Sequence, residues 1–381
     1  MKILIINPNM TTGGLETSLL NFINELKGEN EIDMFLLSHE GKLMSALPED
    51  ITLLPEQDKL KRFGVVRQPV NRGLVKAIAI KMLKAVGVKN MLIDRDLRAL
   101  ADINIQSFAG EYDLAINFNA YDHICNQILI DKVNAKRKFA IVHNDVFVMP
   151  FSRKLIQQLN ALDVCLGCSK SCMEHIKQKH SKLKNVDYLY NFQDTKKFVD
   201  KSNEICDSIR HNKFNFVCVG RMSKQKMPLR LLKVIKKLNR EFDNFDVYFL
   251  GEGELTVSAK KYVEHNRLNN VYLLGNQTNP YKYIKQADML LLASKNEAAP
   301  MVYAEAMTLG VPVLSTRTCS ADELVGELGV VCDNNFNAIY TAIKDVLSGK
   351  VDLTALKNQL ENYSWFNQAI KQKLYTLTKE K

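Results

Sequence analysis

Short apolar runs alternate with amphipathic stretches along almost the whole chain. Runs rich in Ile, Val, Leu and Phe occur at 2–7 (KILIIN), 32–37 (IDMFLL), 113–118 (DLAINF), 139–143 (FAIVH) and 163–169 (DVCLGCS). A second series follows at 215–220 (NFVCVG), 246–251 (DVYFLG), 271–275 (VYLLG), 288–294 (DMLLLAS) and 311–315 (VPVLS). Buried runs of this length, separated by helical patterns, predict parallel strands covered by helices on both faces. There are too many for one ordinary doubly wound sheet. The polar stretch at 200–213 (DKSNEICDSIRHNK) separates the two series. The expected fold class is therefore α/β, with two Rossmann-like domains at 1–195 and 205–360 facing across a cleft. A closing helix at 362–381 is expected to return to the first domain. In open sheets of this kind ligands bind beyond the carboxyl ends of the strands, so the residues that follow each apolar run are the ones to inspect.

Composition adds little to the fold and more to the choice of partners. The chain has 381 residues, 46% hydrophobic and 25% charged, the balance of a soluble globular protein. No apolar run reaches the ~18 residues of a membrane span, and the N-terminus reads as a buried strand rather than a leader, so a cytoplasmic location is expected. The net charge of +10 is concentrated. Eleven Lys and Arg residues between Lys59 and Arg98 face only Asp94 and Asp96, a local net of +9. Within that segment Arg72, Lys76, Lys81 and Lys84 fall on one half of an amphipathic helix expected at 74–86. Such a helix suits an anionic membrane surface or a charged acceptor, although a solvated helix packed on its own domain has the same pattern. Nucleic acid is disfavoured, because no zinc finger or aromatic-rich RNA-binding motif accompanies the charge.

Eight cysteines include Cys165, Cys168 and Cys172 at a spacing that invites a zinc reading. Residues three apart on a strand point to opposite faces, and no second pair supplies the remaining ligands, so no metal site is expected.

Candidate chemistry sits after the strands. Gly13-Gly14 precede a helix and would let a phosphate approach its N-terminus; a plain tight turn fits the same glycines. Arg221 and Lys226 flank a strand-to-helix junction and suit a diphosphate, although two solvated surface charges would look alike. Glu297 follows the run at 288–294, Pro300 is placed for the first turn of the next helix, and Glu305 comes a turn later. A carboxylate can accept hydrogen bonds from the paired hydroxyls of a ribose. A surface glutamate and a dipole-favoured glutamate are the plainer alternatives.

Taken together, these segments resemble the retaining family 4 glycosyltransferases of the GT-B fold. The resemblance rests on Ser294, Glu297, Pro300, Glu305-Ala306, Gly310-Val311-Pro312-Val313 and Glu323. Ahead of these, in family order, come Gly13-Gly14 with Glu16, His143, Asn191 to Asp194 with Phe198, Gly220-Arg221 with Lys226, and Gly251-Glu252-Gly253. It implies transfer of a sugar, with retention, from a nucleotide-sugar such as a UDP-sugar to a saccharide or lipid-linked saccharide in surface-polysaccharide synthesis. It further implies that Glu297, His143, Arg221 and Lys226 carry the chemistry. Gly14, Arg221, Lys226, Glu297, Ala298, Ala299, Pro300, Met301, Val302 and Glu305 would bind the donor, without a metal or other cofactor. The protein would work in the cytoplasm or on the inner face of the plasma membrane. The family's glycine after the first glutamate is Ala298 here, and its methyl is expected to crowd the backbone beside the sugar. Two rivals share the fold: a nucleotide-sugar epimerase and a non-catalytic partner subunit.

Overall fold

The computed structural model describes residues 1–56 and 108–380, apart from positions 12, 207 and 211. The basic segment from Lys59 to Arg98, with Arg72, Lys76, Lys81 and Lys84, lies outside the described residues.

Two parallel sheets form the frame. The first contains β1 (Lys2–Asn7), β2 (Glu31–Leu36), β3 (Thr52–Leu53), β4 (Tyr112–Asn117), β5 (Ala135–Val142), β6 (Val164–Gly167) and β7 (Val186–Tyr188), in the order β3-β2-β1-β4-β5-β6-β7. The second contains β8 (Phe214–Val219), β9 (Phe245–Leu250), β10 (Val271–Gly275), β11 (Met289–Leu292), β12 (Val313–Thr316) and β13 (Gly329–Cys332), in the order β10-β9-β8-β11-β12-β13. In both sheets the chain order reverses beside the first strand, between β1 and β4 and between β8 and β11. Such a reversal opens a crevice beyond the strand ends.

The apolar runs become strands because both of their faces find cover. Ile3 and Ile5 on one side and Leu4 and Ile6 on the other lie in separate apolar clusters, and all four are fully buried. The second sheet repeats the pattern, with Val247 and Phe249 in one cluster and Tyr248 and Leu250 in another. Packing passes from the first half to the second between Phe192, edge-on to Phe22, and Phe198, which tilts against Tyr281. Asp194 accepts from the Lys197 N–H and caps the helix Thr195–Ser202 between them.

The chain then returns. Trp365, Ile370, Leu374 and Leu377 pack with Ile3, Phe22 and Leu26 of the first half. Lys371 Nζ lies 3.3 Å from Glu25 and 3.1 Å from Glu29, fixing the helix Asn367–Lys379 against the helix Gly14–Leu26.

Candidate active site

The ends of β8 and β11 are drawn together by two loops. After β8, Gly220 adopts φ +147°, a region open mainly to glycine; a Cβ there would come 3.1 Å from the Lys226 stem. Gly251, at φ +132°, lets the turn after β9 cross directly over the Gly220 carbonyl, 2.2 Å from where a Cβ would stand. Between Lys226 and the helix Pro228–Leu238, Met227 takes the left-handed conformation with φ 53°. Strain of this kind persists only where the surroundings hold it. Here Met227 donates its N–H to the Ser223 carbonyl at 3.1 Å, closing the turn that carries Lys226. Gln225 ties this turn to the loop after β11: its carbonyl accepts from Lys295 N–H at 2.7 Å, and its side chain donates to the Asn296 carbonyl at 2.9 Å.

The result is a cleft of about 820 Å³. Gly14, His143, Arg221, Lys226, Glu297, Glu305 and the run from Ala298 to Val302 all line it. Every candidate donor or catalytic residue named from the sequence, outside the basic segment, thus reaches one space. Gly14 and His143 come from the first half and the others from the second.

Lys226 and Glu297 are joined directly, Nζ to Oε1 at 2.6 Å, with the carboxylate side chain only 10% exposed. Arg221 is exposed, and no carboxylate pairs with it among the described residues. The site therefore holds one neutralised cation and one available cation. The helix Met301–Thr308 begins in the cleft with no side-chain cap, so its first N–H groups stay open to an anion or a hydroxyl. Pro300 is the residue before the first turn rather than within it, with extended ψ.

Burial pushes the Glu305 carboxyl up to about 7, against the opposing pull of Lys197 and Lys226. Burial lowers the His143 imidazole to about 4, against the opposing pull of its hydrogen bond to the Phe118 backbone. It is neutral at physiological pH, and its Nε2 has no partner among the described residues. That nitrogen is itself buried, and the Phe118 ring lies 4.9 Å from the imidazole.

Ala298 lines the cleft. Its methyl is buried in the apolar cluster of the first half, with Leu4, Val142 and Cys168. The same side chain thus packs at the seam between the halves. Glu323 also serves that seam. It accepts from Lys170 N–H at 3.0 Å, Ser171 N–H at 2.8 Å, Ser171 Oγ at 2.6 Å and Tyr190 OH at 2.5 Å. A carboxylate of the second half thereby caps a helix N-terminus of the first, where negative charge is favoured.

The cysteine geometry also differs from the expectation. Strand β6 ends at Gly167, so Cys168 escapes the alternation, and Cys165, Cys168 and Cys172 share one apolar cluster.

Solved structures of similar shape settle the architecture. HepE of Anabaena, solved with UDP, matches with a TM-score of 0.69 at 15% identity, covering 99% of each chain. TarM of Staphylococcus aureus matches at 0.72 and 13%, covering 100% of this chain and 99% of that one. The fold is GT-B. Within it, residues 202–364 match the family described as glycosyl transferases group 1. Curated relatives agree over part of their length. An uncharacterized glycosyltransferase of Methanocaldococcus jannaschii is 32% identical over 163 residues, 41% of this chain and 39% of that one. A second is the N-acetylgalactosamine-N,N'-diacetylbacillosaminyl-diphospho-undecaprenol 4-alpha-N-acetylgalactosaminyltransferase of Campylobacter jejuni. It is 30% identical over 203 residues, 52% of this chain and 54% of that one. The chain therefore spans about two fifths and half of the length of these two relatives.

Proposed function

We propose that this GT-B protein is a retaining glycosyltransferase that takes a sugar from a UDP-sugar and passes it to a saccharide or lipid-linked saccharide acceptor. One observation carries the proposal: Arg221 and Lys226 from the loop after β8, and Glu297 and Glu305 from the segment after β11, converge at the strand-order reversal opposite His143 and Gly14. The family match over 202–364 supports the same reading, as do relatives named for O-antigen and capsule synthesis.

Charge developing on the departing diphosphate dominates such a reaction. Arg221 meets it directly. Lys226 reaches it from its contact with Glu297, and the open N–H groups at the start of the helix Met301–Thr308 add a fixed dipole. Glu305 accepts the ribose hydroxyls, and Gly14 lets its helix approach the phosphates without a Cβ between. Glu297, held by Lys226, faces the sugar and orients it. His143, neutral and lining the same cleft, faces the sugar and acceptor from the first half. Cations stand where a metal would otherwise neutralise the diphosphate, so chelation should leave turnover intact. Incubation with a panel of nucleotide-sugars, with and without EDTA, tests this by nucleotide release. Release from a UDP-sugar in both conditions is expected. Release restored only by added magnesium or manganese would overturn the assignment of Arg221 and Lys226, and no release from any donor would overturn the reading as a whole.

The +9 charge between Lys59 and Arg98 supports a working position on an anionic membrane. No helix among the described residues is long and apolar enough to cross one. Replacing Lys76, Lys81 and Lys84 with glutamate should release the protein from anionic vesicles in sedimentation and spare donor hydrolysis. A triple variant that pellets like wild type would remove the membrane from the proposal.

A further inference from the structure

At the edge of the cleft, which Asp145 itself lines, three potential metal ligands meet from distant parts of the chain. Asp145 lies in the loop after β5, His175 on the helix Lys170–Lys179, and Cys319 in the loop after β12 of the second half. His175 Nδ1 is 2.9 Å from Asp145 Oδ1 and 3.4 Å from Cys319 Sγ, and the three ligand atoms lie within 4.8 Å of one another. Two ligand atoms bound to one tetrahedral zinc ion, at bond lengths of ~2.0–2.3 Å, stand roughly 3.3–3.6 Å apart. The two His175 separations lie just below and within that range and the third is no more than 4.8 Å, so an ion could enter with small side-chain adjustments.

The surroundings hold each ligand in place. Phe147 N–H donates to Asp145 Oδ1 at 3.0 Å, and the Phe147 ring meets the imidazole edge-on at 4.8 Å. The helix carrying His175 is fixed at its start by Glu323 from the opposite half. Cys319 N–H donates to the Glu297 carbonyl at 3.2 Å, which sets the position of the thiol. A further thiol stands beside them: Cys319 packs against the apolar cluster that contains Cys172, whose Sγ donates to the Val142 and Asn144 carbonyls at 3.9 and 3.8 Å. Thiol, imidazole and carboxylate together select a soft or borderline divalent ion over magnesium or calcium.

We propose that Asp145, His175 and Cys319, with Cys172 beside them, bind one zinc-like divalent ion at the seam between the two halves of the molecule. Binding expels the Cys319 thiol proton, and the imidazole ligates through Nδ1 with its proton on Nε2, so the metal takes the place of the hydrogen now shared there. Because Asp145 and His175 belong to one half and Cys319 to the other, the ion ties the halves across the mouth of the cleft. This inference does not depend on which donor or acceptor the cleft takes.

Cobalt(II) titration of the reduced, full-length protein tests it. One equivalent should produce near-ultraviolet thiolate-to-cobalt absorption and the visible bands of tetrahedral cobalt, both removed by zinc. C319S and H175A should lose these bands, and C332S, which alters a thiol elsewhere, should keep them. Zinc should raise the melting temperature of wild type and C332S and leave that of C319S unchanged. Wild-type protein without thiolate absorption, or the same absorption in C319S, would overturn the site. If C319S does not fold, H175A makes the same comparison, and bands retained in that variant would be equally decisive against it.

Discussion

Replacing Lys226 with alanine is expected to cut kcat/KM for the nucleotide-sugar by about 10- to 150-fold, the equivalent of losing one charge-assisted hydrogen bond of ~1.5–3 kcal/mol. The structure adds a second effect. Lys226 Nζ is 2.6 Å from Glu297 Oε1, and that carboxylate side chain is only 10% exposed. Removing the lysine leaves a largely desolvated negative charge without its partner and places that charge beside an incoming diphosphate. Breaking a fully buried pair costs about 3–5 kcal/mol, and the partial exposure of Lys226 puts this one below that range. Stability and turnover should therefore fall together in K226A, and a second substitution separates them. K226A/E297Q has no stranded charge, so its urea midpoint should recover toward wild type. Its turnover should stay low, because the cation facing the diphosphate is still missing. Steady-state nucleotide release and urea denaturation on the same preparations decide the matter. K226A with wild-type turnover would reduce Lys226 to a structural partner of Glu297.

The sequence anticipated the frame wherever both faces of a strand are covered. The runs at 2–7 and 271–275 are strands with those bounds, and several neighbours begin or end one residue away. The strands it missed are β3, β7 and β13, each of two to four residues at a sheet edge with no fully buried position. One covered face does not require a continuous apolar run, so these strands lack the signal that marks the others. A similar division holds in the site. Residues that bear charge or glycine after a strand were visible because topology places them there. The tie from Gln225 to the loop after β11, the left-handed Met227 and the direct contact between Lys226 and Glu297 were not, since each depends on how two loops pack. The cluster of Asp145, His175 and Cys319 is further from sequence logic still. His175 and Cys319 are 144 positions apart, and only the meeting of two separate halves brings them together. Spacing drew attention to Cys165 and Cys168 instead, and packing assigns both to the core.

Donor binding should depend on pH through Glu305. Its carboxyl is pushed up to about 7, chiefly by burial, whereas His143 is lowered to about 4 and does not titrate between pH 6 and 8. The carboxylate form can accept from both ribose hydroxyls, and the protonated form gives up one acceptor position to its own proton. If only the carboxylate binds well, affinity for a UDP-sugar should weaken by about tenfold between pH 8 and pH 6. A UDP-sugar is the right probe, because its diphosphate is esterified at both ends and has no ionisation in this range. The sign for the free protein is opposite. A carboxyl with a folded-state value above its unfolded one favours the protonated folded form, so its contribution to stability is full below the unfolded value and is lost as pH rises through 7. Bound ribose offsets that loss, and the rise in melting temperature on adding donor should be larger at pH 8 than at pH 6. E305Q should remove the pH dependence and, by loss of a charge-assisted bond of ~1.5–3 kcal/mol, weaken binding at pH 8 by about 10- to 150-fold. Calorimetric titration of both proteins at pH 6, 7 and 8 tests the assignment. An E305Q variant that binds like wild type at pH 8, or keeps the same pH profile, would move ribose recognition to another side chain in the cleft.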